Sequence, residues 1–269
     1  MIYEDAVFPL GPFDTCAAWG VPATRGDVNN GAVIGDYVCS GSIYAANVGW
    51  INLGSGSPTN GIRYQNLGAS DFGVNNDGLG NLRGYAWGAN IGWINFETNG
   101  APKVDLVTGK MSGCIYSANC GWISLSNAFA FVQADSFSPG PLAPDGLPVP
   151  WLLANFGTTN VNANADPDGD GMSNAQEYLA GTNPNDAASN LKITGGTFAP
   201  GGTNVTLAWS SVLTRLYHIQ ESFNVASPAW YNSSLGLISP DGSLTTRTFA
   251  ESNAPIRFYR IQAVRPLSP

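Results

Sequence analysis

Oxygen-bearing side chains alternate along residues 166–177, which read Asp-Pro-Asp-Gly-Asp-Gly-Met-Ser-Asn-Ala-Gln-Glu. Aspartates occupy positions 1, 3 and 5 of this stretch, glycine position 6 and glutamate position 12. Calcium is a hard cation that takes roughly six to eight oxygen ligands, and a loop of this length and spacing wraps one ion. The stretch therefore predicts a calcium site.

Every ligand position of a loop of EF-hand type is filled by a suitable group. Gly171 allows the sharp turn, Asn174 ligates directly or through water, and Glu177 closes the shell with both carboxylate oxygens. A metal-free acidic turn is the alternative, because Asp-Gly pairs favour turns. Three carboxylates within five residues repel without a cation, and a bidentate Glu favours calcium over magnesium. The predicted ligands are Asp166, Asp168, Asp170, the main-chain carbonyl of Met172, Asn174 and Glu177.

Two short helices are predicted on either side of the acidic loop. Residues 151–156 form the first, ended by Gly157, and residues 173–180 the second, ended by Gly181. Glycine just after a helix favours the left-handed conformation that closes it. We therefore expect a small helix-loop-helix.

Three pieces of this region carry a family resemblance. They are Leu-Pro-Val-Pro-Trp at 147–151, Phe-Gly at 156–157 and the stretch from Asp166 to Pro184. Together they resemble the thrombospondin type 3 and dockerin-like calcium repeats of exported bacterial proteins. The chain has one such loop, whereas dockerins carry two. The resemblance implies calcium binding in a protein outside the cell.

An aromatic motif occurs three times earlier in the chain, near residues 41–53, 84–96 and 113–125. Each copy has a glycine, an aromatic residue three positions on, Ala-Asn, and then Gly-Trp-Ile, except that Cys replaces the branched residue before Gly121. The pattern predicts a β-hairpin whose second strand alternates its faces. Stacked hairpins bury a shared core that no single hairpin could bury alone.

The motif tryptophans, Trp50, Trp93 and Trp122, allow two interpretations. Their identical place in each copy predicts core residues, because a repeat must reproduce its packing. The alternative is an exposed aromatic platform for a glycan. In the turns, Asn47, Asn90 and Asn119 are predicted to adopt positive φ.

The chain is predicted to be mainly β and to fall into four parts. A repeat-built β-hairpin domain spans 1–137, and a Pro-rich linker spans 138–150. The calcium-binding helix-loop-helix at 151–190 is expected to be a connector that holds the outer domains in one orientation. Residues 191–269 return to short strand patterns separated by turns, as in an Ig-like or fibronectin-like β-sandwich.

Four cysteines permit three disulfide pairings. Cys114 and Cys120 flank the turn of the third hairpin symmetrically, which predicts a cross-strand disulfide and leaves Cys16 with Cys39. Buried free thiols are the alternative.

Composition excludes several functions. A net charge of −8 provides no basic field for nucleic acid, and no apolar run is long enough to span a membrane. The single histidine, His218, has no Gly-x-Ser-x-Gly motif beside it. Because the densest acids are assigned to metal, no carboxylate pair is left for glycoside hydrolysis. We predict that the protein is not an enzyme.

The predicted function is that of a calcium-stabilised structural protein that is secreted or held at the cell surface. The amino terminus lacks a leader peptide, so the protein is either cytosolic or has had its leader removed or replaced by an initiator Met. The even number of cysteines favours the second alternative. Charged residues make up only 11% of the chain, which permits self-association into extracellular fibres or layers. The alternative is a carbohydrate-binding or adhesion module. The predicted partners are further copies of the chain, other surface proteins, or a glycan.

Overall fold

The protein, seen in a computed structural model, is mainly β, with antiparallel sheets. The structure describes residues 31–45, 48–128, 131–198, 204–224, 226, 229–250 and 257–268. They form two compact units. The first unit takes in the described residues up to Pro144, then Pro148–Thr159 and the chain from Leu267 onward. The second takes in Asp145–Leu147 and the described residues of Asn160–Pro266.

An antiparallel sheet forms most of the first unit. Its strands are β1 (Val33–Ile34), β2 (Cys39–Ala45), β3 (Gly49–Ser55), β4 (Val74–Asn76), β5 (Leu82–Gly88), β6 (Gly92–Asn95), β9 (Cys114–Ser117) and β10 (Gly121–Ser124). The strand order is β1-β2-β3-β5-β6-β9-β10, and β4 pairs with β5. A two-stranded sheet of β7 (Lys103–Val104) and β8 (Met111–Ser112), a 3-10 helix at Thr98–Gly100 and helix α1 (Val149–Phe156) complete the unit.

The three copies of the aromatic motif form hairpins, as predicted. Strands β2 and β3, β5 and β6, and β9 and β10 pair in antiparallel fashion. Because these hairpins are neighbours in one sheet, their side chains alternate between two common faces.

The turn asparagines were predicted to adopt positive φ, and for Asn90 and Asn119 this is wrong. The glycine that opens the second strand adopts that conformation instead, with φ of 71° at Gly92 and 79° at Gly121. Asn119 donates from its Nδ2 to the carbonyl oxygen of Ile91 in the preceding hairpin, at 3.1 Å. In the third copy, the asparagine of the motif therefore links one hairpin to the one before it. Asn47 lies outside the described residues.

The motif tryptophans were predicted to form the core, and this is wrong. Trp50, Trp93 and Trp122 point to the exposed face of the sheet. The isoleucine that follows each of them points inward and is at most 1% exposed. Since neighbouring residues of a strand face opposite sides, a sheet with one exposed face buries only one of the two. The core of the unit is built on Ile51, Ile94 and Ile123, joined by Ile43, Leu53, Val74, Leu82, Phe96, Ile115 and Leu125.

The register of the third hairpin does not support a disulfide between Cys114 and Cys120. Cys114 pairs with Ser124, four residues beyond Cys120. Four residues of strand span about 13 Å, whereas a disulfide requires Cα atoms within about 7 Å. Both residues are present as thiols, and so is Cys39. Burial raises the pKa of the Cys39 thiol to about 12. The predicted pairing of Cys39 with Cys16 is not formed either, because Cys39 is a free thiol; Cys16 itself lies outside the described residues.

Two three-stranded sheets and one helix form the second unit. Its elements are α2 (Asn174–Ala180), β11 (Ile193–Phe198), β12 (Asn204–Ser210), β13 (Leu216–Ser222), β14 (Tyr231–Asn232), β15 (Leu244–Ala250) and β16 (Phe258–Val264). The sheet orders are β11-β12-β15 and β14-β13-β16. Trp209 on β12 and Tyr217 on β13 are fully buried in one core, so the two sheets pack against each other. No helix within the described residues is long and apolar enough to cross a membrane.

Candidate metal centre

The acidic loop leads directly into helix α2, whose start is fixed by a capping box. The Ser173 hydroxyl accepts from the backbone N–H of Gln176, and the Gln176 side chain accepts from the backbone N–H of Ser173 at 2.8 Å. Residues three apart on a helix share a face. Asn174 and Glu177 are therefore held on one side of the first turn, and both are buried. Gly181 ends the helix with φ of 75°, as predicted.

A short segment before the loop holds the first turn of α2 in place. The backbone N–H of Asn174 donates to the Ala165 carbonyl oxygen at 2.8 Å. Its side-chain Nδ2 donates to the Asn162 carbonyl oxygen at 2.9 Å, and the backbone N–H of Ala175 donates to Ala163. Because the amide nitrogen of Asn174 is used in this way, its Oδ1 is left for another partner.

Backbone amides within the loop orient its three aspartates. Asp166 accepts from Gly169 at 2.8 Å through Oδ1 and from Gly171 at 2.9 Å through Oδ2. Asp170 accepts from Met172 at 2.7 Å, again through Oδ1. The ligand oxygens of Asp166, Asp168 and Asp170 lie within 4.8 Å of one another. Three negative charges converge at one point of the loop.

Five oxygen atoms of the loop are buried and have no hydrogen-bond donor. They are Oδ2 of Asp168, Oδ2 of Asp170, Oδ1 of Asn174 and both Oε atoms of Glu177. Burying a polar atom without a partner costs about 1–3 kcal/mol, and more for a charged one. Each atom belongs to a predicted ligand position. The donor set of carboxylate and amide oxygens fits calcium, a hard cation.

The carboxyl group of Glu177 is the most perturbed acid of the site. Its pKa is raised to about 7, mainly by burial, which the nearby Thr182 hydroxyl partly offsets, and further by the negative charges of Asp168, Asp170 and Asp166. Both causes disfavour the ionised form. A divalent cation among these carboxylates would reverse the effect, because it would pair with the buried charge.

The structure thus brings together the ligand oxygens of Asp166, Asp168 and Asp170, and their charges act on the buried carboxylate of Glu177. The roles of Asp166, Asp168, Asp170, Asn174 and Glu177 as ligands, and that of the Met172 carbonyl, remain predictions. Met172 has a second contact, since its sulfur accepts from the backbone N–H of Leu191 at 3.3 Å.

Arg215 was missed by the sequence analysis, although it fixes the far end of α2. Its guanidinium donates to the carbonyl oxygens of Tyr178 at 2.6 Å and Leu179 at 2.9 Å. A cation at this end also complements the helix dipole. No local signal could have identified it, because Arg215 lies 37 residues from Tyr178 in the chain.

Replacing this guanidinium is expected to loosen α2. Arg215→Met keeps much of the apolar stem but leaves two helix-end carbonyls without their donor, so we expect a loss of about 1–3 kcal/mol. Chemical denaturation of the calcium-loaded protein measures it. Arg83→Met, in the first unit, is the control and should leave the unfolding of the second unit unchanged. An equal loss in both variants would contradict the role of Arg215.

The lone histidine lies in a strand. His218 is on β13, and its Nδ1 donates to the carbonyl oxygen of Gly236 at 2.9 Å. The hydrogen-bond partner of this ring nitrogen is therefore a main-chain carbonyl and not a catalytic side chain.

Comparison with known proteins gives one family match. Residues 166–187 match the bacterial TSP3 repeat, which supports the thrombospondin type 3 part of the resemblance. No curated protein and no solved structure matches the chain. TSP3 repeats are structural calcium-binding modules of extracellular proteins rather than catalytic ones. The match covers the acidic loop, helix α2 and the turn that follows.

Proposed function

We propose that the chain is a calcium-stabilised structural protein that works outside the cell or on its surface. The TSP3 match supports this assignment. The observation that carries it is the group of five buried oxygens without donors around the aspartates of the loop. Such a set is costly in an empty site and favourable around a cation.

Calcium would act by completing the fold of the second unit. Binding joins the loop half of the site, residues 166–170, to Asn174 and Glu177 on α2. That helix is already attached to the β-structure, because Arg215 holds its last carbonyls and Arg265 lies over the Tyr178 ring at 5.4 Å. The ion therefore fixes the loop to a supported helix. A ligand that binds only the folded state stabilises that state.

Calcium titration of one loop variant and one matched control tests the proposal. Asp168→Asn removes one charge at the site, and we expect calcium affinity to fall on the order of ten- to a hundred-fold. Asp135→Asn removes the same charge at an exposed position of the first unit and should bind like the wild type. Competition with a fluorescent chelator measures both constants. Wild-type protein that fails to bind calcium at millimolar concentration would refute the function.

Two finer parts of the function are also proposals. Export is supported by the kind of protein in which TSP3 repeats occur. Assembly into fibres or layers is supported by the low content of charged residues.

A further inference from the structure

The exposed face of the sheet in the first unit carries three aromatic pairs. We call Tyr44, Trp50, Trp87, Trp93, Tyr116 and Trp122 the aromatic face; their exposed fractions lie between 39% and 47%. Large aromatic residues that stay exposed together mark binding surfaces more often than isolated ones do. The aromatic face lies in the first unit, away from the calcium loop in sequence, so its role goes beyond the proposed function.

Each pair joins two strands of one hairpin in the same way. Tyr44 packs on Trp50 with ring centroids 5.3 Å apart, Trp87 on Trp93 at 5.0 Å, and Tyr116 on Trp122 at 5.2 Å. All three contacts are edge-to-face, with interplanar angles of 62–75°. This geometry holds the tryptophan in one orientation, which lowers the entropy that a ligand must remove on binding.

The sheet register arranges the pairs as a regular series. Asn52 on β3 lies opposite Trp87, and Asn95 on β6 lies opposite Tyr116, so each hairpin is displaced by two residues from the one before. Successive motif tryptophans lie two strands and two residues apart, which places them about 12 Å from each other in a diagonal row. A periodic row of stacking positions suits an extended polymer of ring-shaped units.

A groove at one end of the row adds polar groups to the aromatic rings. It has a volume of about 260 Å3 and is lined by Asn95, Glu97, Asn99, Gly100, Tyr116 and Trp122. Gly100 forms one wall, since a Cβ there would lie 2.9 Å from the Trp122 ring and 1.9 Å from the Cys114 carbonyl oxygen. Amide and carboxylate groups beside an aromatic ring provide both donors and acceptors for hydroxyl groups.

The charge of the aromatic face indicates which class of ring-containing polymer it can bind. The six strands that carry the pairs contain one charged residue, Arg83, whose guanidinium already donates to the Leu82 carbonyl oxygen at 2.7 Å. The groove adds one carboxylate, Glu97. Nucleic acids and acidic polysaccharides require basic residues to replace their counterions. The aromatic face is suited to a neutral ligand.

We infer that the aromatic face binds a neutral, extended, β-linked polysaccharide. The flat apolar faces of its pyranose rings stack on the exposed tryptophans, and the spacing of the row is close to the length of two linked rings. The hydroxyl groups of one ring bond to Asn95, Glu97 and Asn99 in the groove.

Titration calorimetry of the full calcium-loaded chain with cellohexaose, xylohexaose and chitohexaose tests the inference. At least one of them should bind, and Trp122→Ala should weaken that binding about ten-fold or more, as expected for an aromatic anchor. Tyr231→Ala, at an exposed tyrosine of the second unit, should bind like the wild type. Asn99→Ala, at an exposed groove position, gives a second measurement that does not depend on the folding of Trp122→Ala.

Four results would overturn it. No binding of any of these hexasaccharides at millimolar concentration is the first, and unchanged binding in both Trp122→Ala and Asn99→Ala is the second. The third is dimerisation of the wild type in size-exclusion chromatography that Trp122→Ala abolishes, because the face would then be a contact between copies. Binding of polygalacturonate alone would also contradict a neutral ligand.

Discussion

Calcium is expected to raise the thermal stability of the wild-type protein strongly, whereas Glu177→Gln should lose most of this gain. At a calcium concentration about a thousand times the dissociation constant, a ligand specific for the folded state adds about 4 kcal/mol. Gln keeps the size of Glu177 but provides one neutral oxygen in place of a bidentate carboxylate. Scanning calorimetry with calcium and with EDTA measures the difference.

The order of the unfolding temperatures of the wild type and Glu177→Gln is expected to reverse when calcium is removed. The pKa of Glu177 is raised to about 7. In EDTA at pH 8 the pH exceeds this value, so the carboxyl group is ionised although it is buried. The buried charge lowers the free energy of unfolding at any pH above the ordinary glutamate pKa, and it does so fully above pH 7. Neutral Gln carries no such charge and avoids this loss. Glu177→Gln should therefore unfold at a higher temperature than the wild type in EDTA and at a lower one in calcium.

Asp135→Asn provides the control for the removed charge. It should follow the wild type in both conditions, because Asp135 is exposed and lies outside the loop. If Glu177→Gln were less stable than the wild type even in EDTA, the residue would support packing rather than metal binding.

The acidic cluster could be predicted because its residues are local. Residues 166–177 place every predicted ligand within one loop, and spacing alone indicates that the aspartates converge. The helices beside it were predicted for the same reason, since Gly157 and Gly181 act on neighbouring backbone groups. Arg215 could not be predicted, because its contact with α2 depends on how a distant strand connection packs.

The face of each repeat strand could not be predicted from alternation alone. In Gly-Trp-Ile the period of two requires Trp and Ile to point in opposite directions, but both are apolar, and the pattern does not say which is inside. The structure buries the branched Ile and leaves the larger Trp to pack on an aromatic neighbour across the hairpin. One sequence signal did indicate the exposed face: each copy has a second aromatic residue, three positions after its first glycine. These residues, Tyr44, Trp87 and Tyr116, pair directly with the motif tryptophans and so lie on the same face.

The disulfide prediction failed for a related reason. Symmetry of Cys114 and Cys120 about Ser117 assumed that the turn is centred on that residue. Ser117 is instead the last residue of β9 and pairs with Gly121, so the turn is centred two residues later. An error of two positions in a turn moves a cross-strand pair by about four residues, or about 13 Å.

Two neighbouring substitutions are expected to show which face of the repeat sheet carries the stability. Ile123→Ala removes a fully buried side chain, and core truncations of this kind cost about 2–5 kcal/mol. Trp122→Ala removes a larger ring that is about half exposed, and its main loss is the contact with Tyr116, for which about 0.5–1.5 kcal/mol is typical. Denaturant unfolding of the first unit measures both.

Ile123→Val tests whether the loss of stability at this position scales with the volume of side chain removed. It removes one methyl group at the same buried site, so we expect a cost of about 0.5–1.5 kcal/mol, well below that of Ile123→Ala. A larger loss for Trp122→Ala than for Ile123→Ala would restore the tryptophans to the core and remove the basis for a binding face. The expected order follows from burial rather than from size, since the smaller of the two neighbouring side chains is the one fully removed from water.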